Sequence, residues 1–425
     1  MTEFRRVLFR SDYEIENPGT YYHDPTLADS AITYQYCVLP INYTFPNIPS
    51  ELLYHVYLPE AEGAISGRAN DAKSQLLIDM EYEAVRLTGN LSQSGNSGGR
   101  VQALLPSRWT PKGTITVWDD FLGRQIPVEG AEVHARWFTN IATAITDANG
   151  YFSTSQFRYE VNYAIKWERG HYDIRNGLIT QAWYNGPKQK GDWNLDIAGG
   201  ESLKYAHIHR GAHKYFYGNT LGLARPINDG KSKISLIDGN KTGMYWGEWG
   251  SNILPDILIW SRWGDGTYKS TEFVFGTTMH ELAHQAHYLF IGNVQFIQVS
   301  GIVFESWADA VEWAMANDEY RNLGIRYSIP AGINYFHAGN SHDFWPTRGD
   351  RDYSPIFIDL MDVVNQRDRC LGCPNDLVSG YTPATLNWNI LLNAYGLSSL
   401  RDQVKNNKPA GVTDAQIDEL FTLYW

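Results

Sequence analysis

The residues best equipped for chemistry lie in residues 277–290, TTMHELAHQAHYLF. Here His280, Glu281 and His284 stand in the spacing His-Glu-x-x-His, with His287 close behind. Positions i and i+4 of an α-helix fall one turn apart on the same face. His280 and His284 can therefore each direct a ring nitrogen at one ion, at about 2.0–2.1 Å if the ion is zinc. Glu281 sits about 100° round the same helix. From there its carboxylate can take a proton from a water on the metal. One helical turn thus supplies two ligands and a general base.

A third donor has to come from elsewhere. His287 is excluded by length, because it lies about 10 Å along the axis from His280 on one straight helix. The extended motif in which a glycine breaks the helix and a later histidine returns is also missing, since His287 and Phe290 occupy those two places. Glu305 is the better donor. GIVFESWAD, residues 301–309, predicts a helix carrying Glu305, with Asp309 one turn later. Glu305 can offer an oxygen ligand, and Asp309 can accept the second ring N–H of a histidine ligand and so fix its tautomer. Trp307, Ala308, Val311 and Trp313 surround the pair, whereas such carboxylates normally occupy a solvated face.

On these residues the C-terminal half resembles the gluzincin metallopeptidases, the thermolysin-like group that holds zinc with two histidines and a glutamate. That family follows His-Glu-x-x-His, some twenty or more residues on, with Gly-x-x-Asn-Glu-x-x-Ser-Asp. Gly301, Glu305 and Asp309 match in register, while Phe304 and Ala308 replace the Asn and Ser. The resemblance spans about 205–425 and is strongest over 277–313. It implies Zn2+ held by His280, His284 and Glu305, Glu281 as base, and Asp309 supporting a ligand from behind. The implied reaction is zinc-dependent hydrolysis of peptide bonds in peptide or protein substrates. It further implies that a helix over 205–218 backs the metal helix, and that DILIW, residues 256–260, is the sheet edge to which a peptide adds as a strand. The family also stabilises the oxyanion with a downstream His or Tyr. Tyr335, His337, His342 and Tyr353 are available, and Tyr353 is preferred because a predicted helix follows it as an anchor.

Two rivals stand beside the peptidase. One is a surface glycan- or peptide-binding protein with a catalytically inactive zincin-like domain. Retention of Glu281 counts against it, because a scaffold has no use for a base beside the metal. The other is a surface protein whose histidines pack without metal. His207, His209 and His213 are offset by two and six residues, which scatters them round their helix, so packing or surface positions are expected for them.

The elements that must position these residues follow from pattern and composition. The 425 residues carry 43% apolar and 19% charged residues, ordinary for globular domains, and are long enough for two or three of them. A formal charge of −12 without a basic run argues against a nucleic-acid partner. No stretch of 18 apolar residues predicts a transmembrane segment, and the first dozen residues hold an apolar run too short for a signal peptide. The 15 Trp and 27 Tyr suit either β-rich cores or surfaces that recognise sugars and peptides. Cys37, Cys370 and Cys373 cannot make a disulfide framework.

Three segments emerge. Residues 1–110 are a mixed region with one amphipathic helix at 71–89. Residues 111–170 hold short alternating runs bounded by turn residues, among them Asp147-Ala148-Asn149-Gly150, and read as an antiparallel β-sandwich. The order of Gly130-Ala131 and Thr146-Asp147-Ala148-Asn149-Gly150-Tyr151-Phe152 resembles the carboxypeptidase regulatory-like, transthyretin-like fold, which implies a small non-catalytic module. Residues 171–425 form the zincin-like domain. The expected fold class is therefore multi-domain α+β, a small sandwich followed by a zincin-like domain, in a secreted or cell-surface bacterial protein.

Overall fold

The computed structural model describes residues 107–422, apart from 138–139, 228–229, 242, 246–253, 325–352, 366 and 368–374. The helix expected at 71–89, the three cysteines, Tyr335, His337 and His342 lie outside these residues.

Strands occur in the alternating runs: Lys112–Asp119 (β1), then Arg124–Pro127 (β2), which lies outside those runs, Glu132–Trp137 (β3), Asn140–Ile145 (β4), Tyr151–Ser153 (β5) and Val161–Lys166 (β6). Then come Glu168–Arg169 (β7), Tyr172–Asn176 (β8), Thr180–Gln181 (β9), Trp183–Gln189 (β10) and Leu195–Ile197 (β11). Ser232–Ile237 (β12), Gly243–Tyr245 (β13) and Ile257–Trp260 (β14) complete the set among the described residues. The Asp147 turn forms as its residues require. Asp147 Oδ1 accepts from the amides of Asn149 (2.8 Å) and Tyr151 (2.9 Å), and Gly150 takes φ +74°.

One four-stranded sheet runs β11-β1-β2 with β5 also on β1, and a second runs β10-β6-β3-β4. Their buried faces meet through Phe152 of β5 and Tyr163 of β6, whose rings lie 6.1 Å apart, and through Ile115, Val117 and Val133. Strands β10 and β11, beyond residue 170, complete both sheets, while β7, β8 and β9, between β6 and β10, join the third. From Ser107 onward the chain packs as one unit.

The third sheet has the order β13-β14-β12-β8-β7, with β9 on β8. Strands β8, β12 and β14 are parallel, and β13 runs antiparallel at the edge. This corrects one expectation. DILIW is β14, buried along all four strand residues and flanked by β12 and β13, so it is not the edge. An uninterrupted apolar run marks a strand covered on both faces; among the described residues the edge belongs to β13, whose Gly-Met-Tyr carries no strand signal of its own.

The helices include Gly200–Tyr217 (α1), Thr271–Ile291 (α2), Asn293–Phe296 (α3), Gly301–Asn322 (α4) and Ile356–Met361 (α5), with Leu397–Asn406 and Asp414–Phe421 near the C-terminal end. The architecture is mixed α+β. Helix α2 packs against both α1 and α4 and is buried on nearly every side. The α1 histidines do pack, as expected. His207 Nε2 donates to Trp118 O (2.9 Å) and His209 Nε2 to Glu129 O (2.9 Å), which joins α1 to the first sheet's strand and turn carbonyls. Fully buried Asp119, at the end of β1, accepts from Arg210 on α1 (3.1 Å) and Tyr320 on α4 (2.7 Å). A buried carboxylate needs such partners, and these tie the first sheet to two of the helices that frame the site.

Candidate metal centre

Polar side chains on a buried helix must find partners or a purpose. On α2, Gln285 accepts from Ser232 of β12 (2.7 Å) and Thr278 Oγ1 donates to Val274 O (2.8 Å). His280, Glu281 and His284 instead converge at the α4 side and under the sheet edge. His280 Nε2 and His284 Nε2 are 3.1 Å apart, and each lies 3.2 Å from Glu305 Oε2. All three side chains are at least four-fifths buried. Four ligands about 2.0–2.1 Å from zinc in a tetrahedron sit about 3.3 Å from one another, so the triangle has the dimensions of one face of such a site. Its donor set of two imidazoles and a carboxylate is also one that zinc takes. The residues fit the ion.

Asp309 lies behind the His280 ring. Its Oδ1 lies 3.0 Å from His280 Nδ1, which leaves Nε2 to face the other donors. Glu312 adds a second acceptor at 3.4 Å, and with His280 and Asp309 it forms another cluster of possible metal donors on the back of the ring. Glu312 was missed by sequence reasoning, although Glu305, Asp309 and Glu312 follow i, i+4, i+7 on one helical face. His284 is less well supported, since its Nδ1 is buried with no hydrogen-bond partner among the described residues. His287 stays out of the triangle. It is buried, packs edge-on against Phe296 (5.4 Å), and neither ring nitrogen finds a hydrogen bond among the described residues.

Burial dominates the electrostatics, and the neighbours decide the outcome. It disfavours the His280 imidazolium, yet hydrogen bonds to Asp309, Glu305 and Glu312 hold its pKa well above the usual range. Burial likewise opposes ionisation of Glu305, but the two histidines hold its carboxyl far below the normal carboxylate range. The His284 pKa is lowered, chiefly by burial. Burial pushes Glu281 up to about 8 and Glu312 up to about 7, each partly opposed by His280.

Glu281 is covered by the edge strand. The Tyr245 backbone amide donates to its carboxylate, and a Cβ added to Gly243 would come within 2.2 Å of Glu281 Oε1. Only glycine lets β13 run this close to the base. Neither residue had a sequence signal.

Tyr353 also reaches the site. Its hydroxyl hydrogen-bonds Glu305, and burial together with the Glu305 charge raises its pKa. Two serines set this placement: Ser306, next to Glu305, accepts from the Ser354 amide (2.8 Å), and the two hydroxyls are 3.1 Å apart. Trp307 meets Phe357 edge-on at 5.4 Å and seats α5 on α4, so the helix after Tyr353 acts as the expected anchor.

No protein-family model matches the chain, and no curated protein does. Among solved structures it is similar to a 9R-lipoxygenase from Cyanothece PCC8801, at 10% identity and a TM-score of 0.13. The match covers 72% of this chain but 37% of that one, so the chain spans little more than a third of that protein's length. An overlay this poor carries no argument about fold or chemistry.

Proposed function

We propose that the chain is a gluzincin-like zinc peptidase whose catalytic centre lies on helices α2 and α4, beside a carboxypeptidase regulatory-like β-sandwich that β10 and β11 complete, in a secreted or cell-surface bacterial protein. The observation that carries the reading is the triangle of His280 Nε2, His284 Nε2 and Glu305 Oε2, with Glu281 on the adjoining helical position. These three side chains would hold the zinc. Bound there, the ion supplies Lewis-acid polarisation of a carbonyl and makes a water a stronger acid. Asp309 keeps the His280 ring in the tautomer that presents Nε2. The Glu281 carboxylate takes a proton from the attacking water and passes it to the leaving amine. Tyr353 swings its hydroxyl from Glu305 to the oxygen that gains charge. An extended peptide would pair with β13, the edge strand among the described residues, beside Glu281.

A second reading has one observation in its favour. Glu281 is 4% exposed and already accepts the Tyr245 amide, as suits a protein that binds a peptide or glycan without turning it over. A peptide-library cleavage assay on zinc-loaded wild type and Glu281→Gln separates the two. The peptidase reading expects cleavage that the variant loses, whereas zinc-loaded protein without cleavage supports the binding protein.

A further inference from the structure

A cleft of about 850 Å³ opens where the parallel strands β8, β12 and β14 end and helices α1 and α2 begin. Open α/β sheets bind ligands in the crevice at the carboxyl ends of their strands, and the volume suits a small-molecule site. The metal triangle is elsewhere. Ser270, which lines the cleft, precedes His280 by about 15 Å along the α2 axis.

The chemistry of the lining narrows the ligand. Two aromatic rings stand at the cleft, Tyr268 at 61% exposure and Trp263 at 37%. They sit on a rigid turn. Arg262 and Tyr268 form an antiparallel bridge, and the Trp263 amide donates to Thr267 O (2.8 Å). The Arg262 guanidinium lies 4.1 Å from the Tyr268 ring centre, and Phe273 meets Trp263 at 4.5 Å. Such rings are oriented before any ligand arrives. Two carboxylates with acceptor capacity to spare, Asp238 and Glu201, also line the cleft. Asp238 Oδ1 takes Arg262 (2.6 Å) and Ser261 (3.0 Å), and Glu201 Oε2 takes Asn176 (3.2 Å) and Tyr205 (3.1 Å). Asp238 Oδ2 and Glu201 Oε1 accept no hydrogen bond among the described residues.

An anion is disfavoured, because it would meet these carboxylates while the two lysines at the cleft are already engaged. Lys204 is buried and donates to Lys269 O, and buried Lys269 donates to Lys241 O. An extended peptide is disfavoured too, because strands end here and offer no open edge. A pyranose satisfies both halves of the lining, with C–H faces that stack on aromatic rings and hydroxyls that donate to carboxylates. We infer that this cleft is a second site, which binds a neutral glycan through Trp263 and Tyr268, with Asp238 and Glu201 accepting hydrogen bonds from its hydroxyls.

The test is calorimetric titration of the full chain with neutral tetrasaccharides of glucose, mannose, galactose and N-acetylglucosamine. Saturable binding of at least one is expected, with Tyr268→Ala and Trp263→Ala each weakening it about tenfold while melting as wild type. His284→Ala should bind the sugar as wild type does, so the outcome does not depend on the metal centre. Three results would overturn the inference: no saturable binding of any of the four up to about 10 mM, equal affinity in both aromatic variants, or binding of inorganic phosphate in their place.

Discussion

His280 Nδ1 lies 3.0 Å from Asp309 Oδ1, so the ring whose other nitrogen faces the donor triangle is gripped from behind by a carboxylate one turn beyond Glu305. A carboxylate behind a metal-bound imidazole fixes its tautomer and raises its basicity. Asp309→Ala should weaken zinc binding about 10–100-fold, as measured by competition with a chromogenic chelator. Asp309→Asn keeps an acceptor oxygen and should recover most of that loss. Equal zinc affinity in the alanine variant would deny Asp309 this role.

Tyr353 touches Glu305 yet is not one of the three donors. Tyr353→Phe is therefore expected to keep its zinc while turnover falls about 10²-fold, the scale of losing one oxyanion donor. The comparison is kcat beside metal content, and unchanged kcat would remove Tyr353 from the reaction.

The buried base has a signed pH signature in metal-free protein. Burial raises the Glu281 pKa from 4.5 to about 8. Below pH 4.5 the carboxyl is protonated folded or unfolded; between there and 8 the folded chain binds more protons, so its stability falls as the pH rises. Glu281→Gln removes the buried charge and keeps an acceptor for the Tyr245 amide. It should raise the Tm of the metal-free chain at pH 8, by about 2–4 °C for each kcal/mol recovered, and barely change it near pH 4.5. Thermal melts at the two pH values give the comparison.

Gly243→Ala drives a methyl group into Glu281 Oε1 and Thr277 Cγ2, 2.2 and 2.7 Å from the built Cβ. Since β13 or the base must move, a loss of about 1–3 kcal/mol in stability and a large drop in cleavage are expected, with zinc retained. Urea melts and metal analysis of one preparation report both.

Asp119→Ala tests the framework rather than the chemistry. It leaves the buried Arg210 guanidinium without that partner and cuts the tie among β1, α1 and α4. A cost of about 3–5 kcal/mol follows for a broken buried pair, readable by urea denaturation.

Much of this site was legible in the chain because its geometry is local. The His280/His284 pair and the Glu305/Asp309 pair are each one helical turn, and a turn places side chains on a common face whatever the tertiary fold. The strands at 112–166 were legible for the same reason, with period 2 in place of 3.6. What escaped depends on pairing between distant segments. Edge position falls to β13 only because β12 takes the other side of β14, and nothing within Ile257–Trp260 encodes that. The contribution of β10 and β11 to the first two sheets is equally non-local. Gly243 and the Ser306–Ser354 contact belong to this group, since a close approach between segments leaves no periodic trace.

The most direct measurement is the zinc content of purified chain by mass spectrometry, for wild type beside His284→Ala and Glu305→Ala. One zinc per chain in the wild type, lost from both variants, is what three donors converging on one cation predict. Wild-type protein that takes up no zinc, or variants that hold it as tightly, would contradict the account.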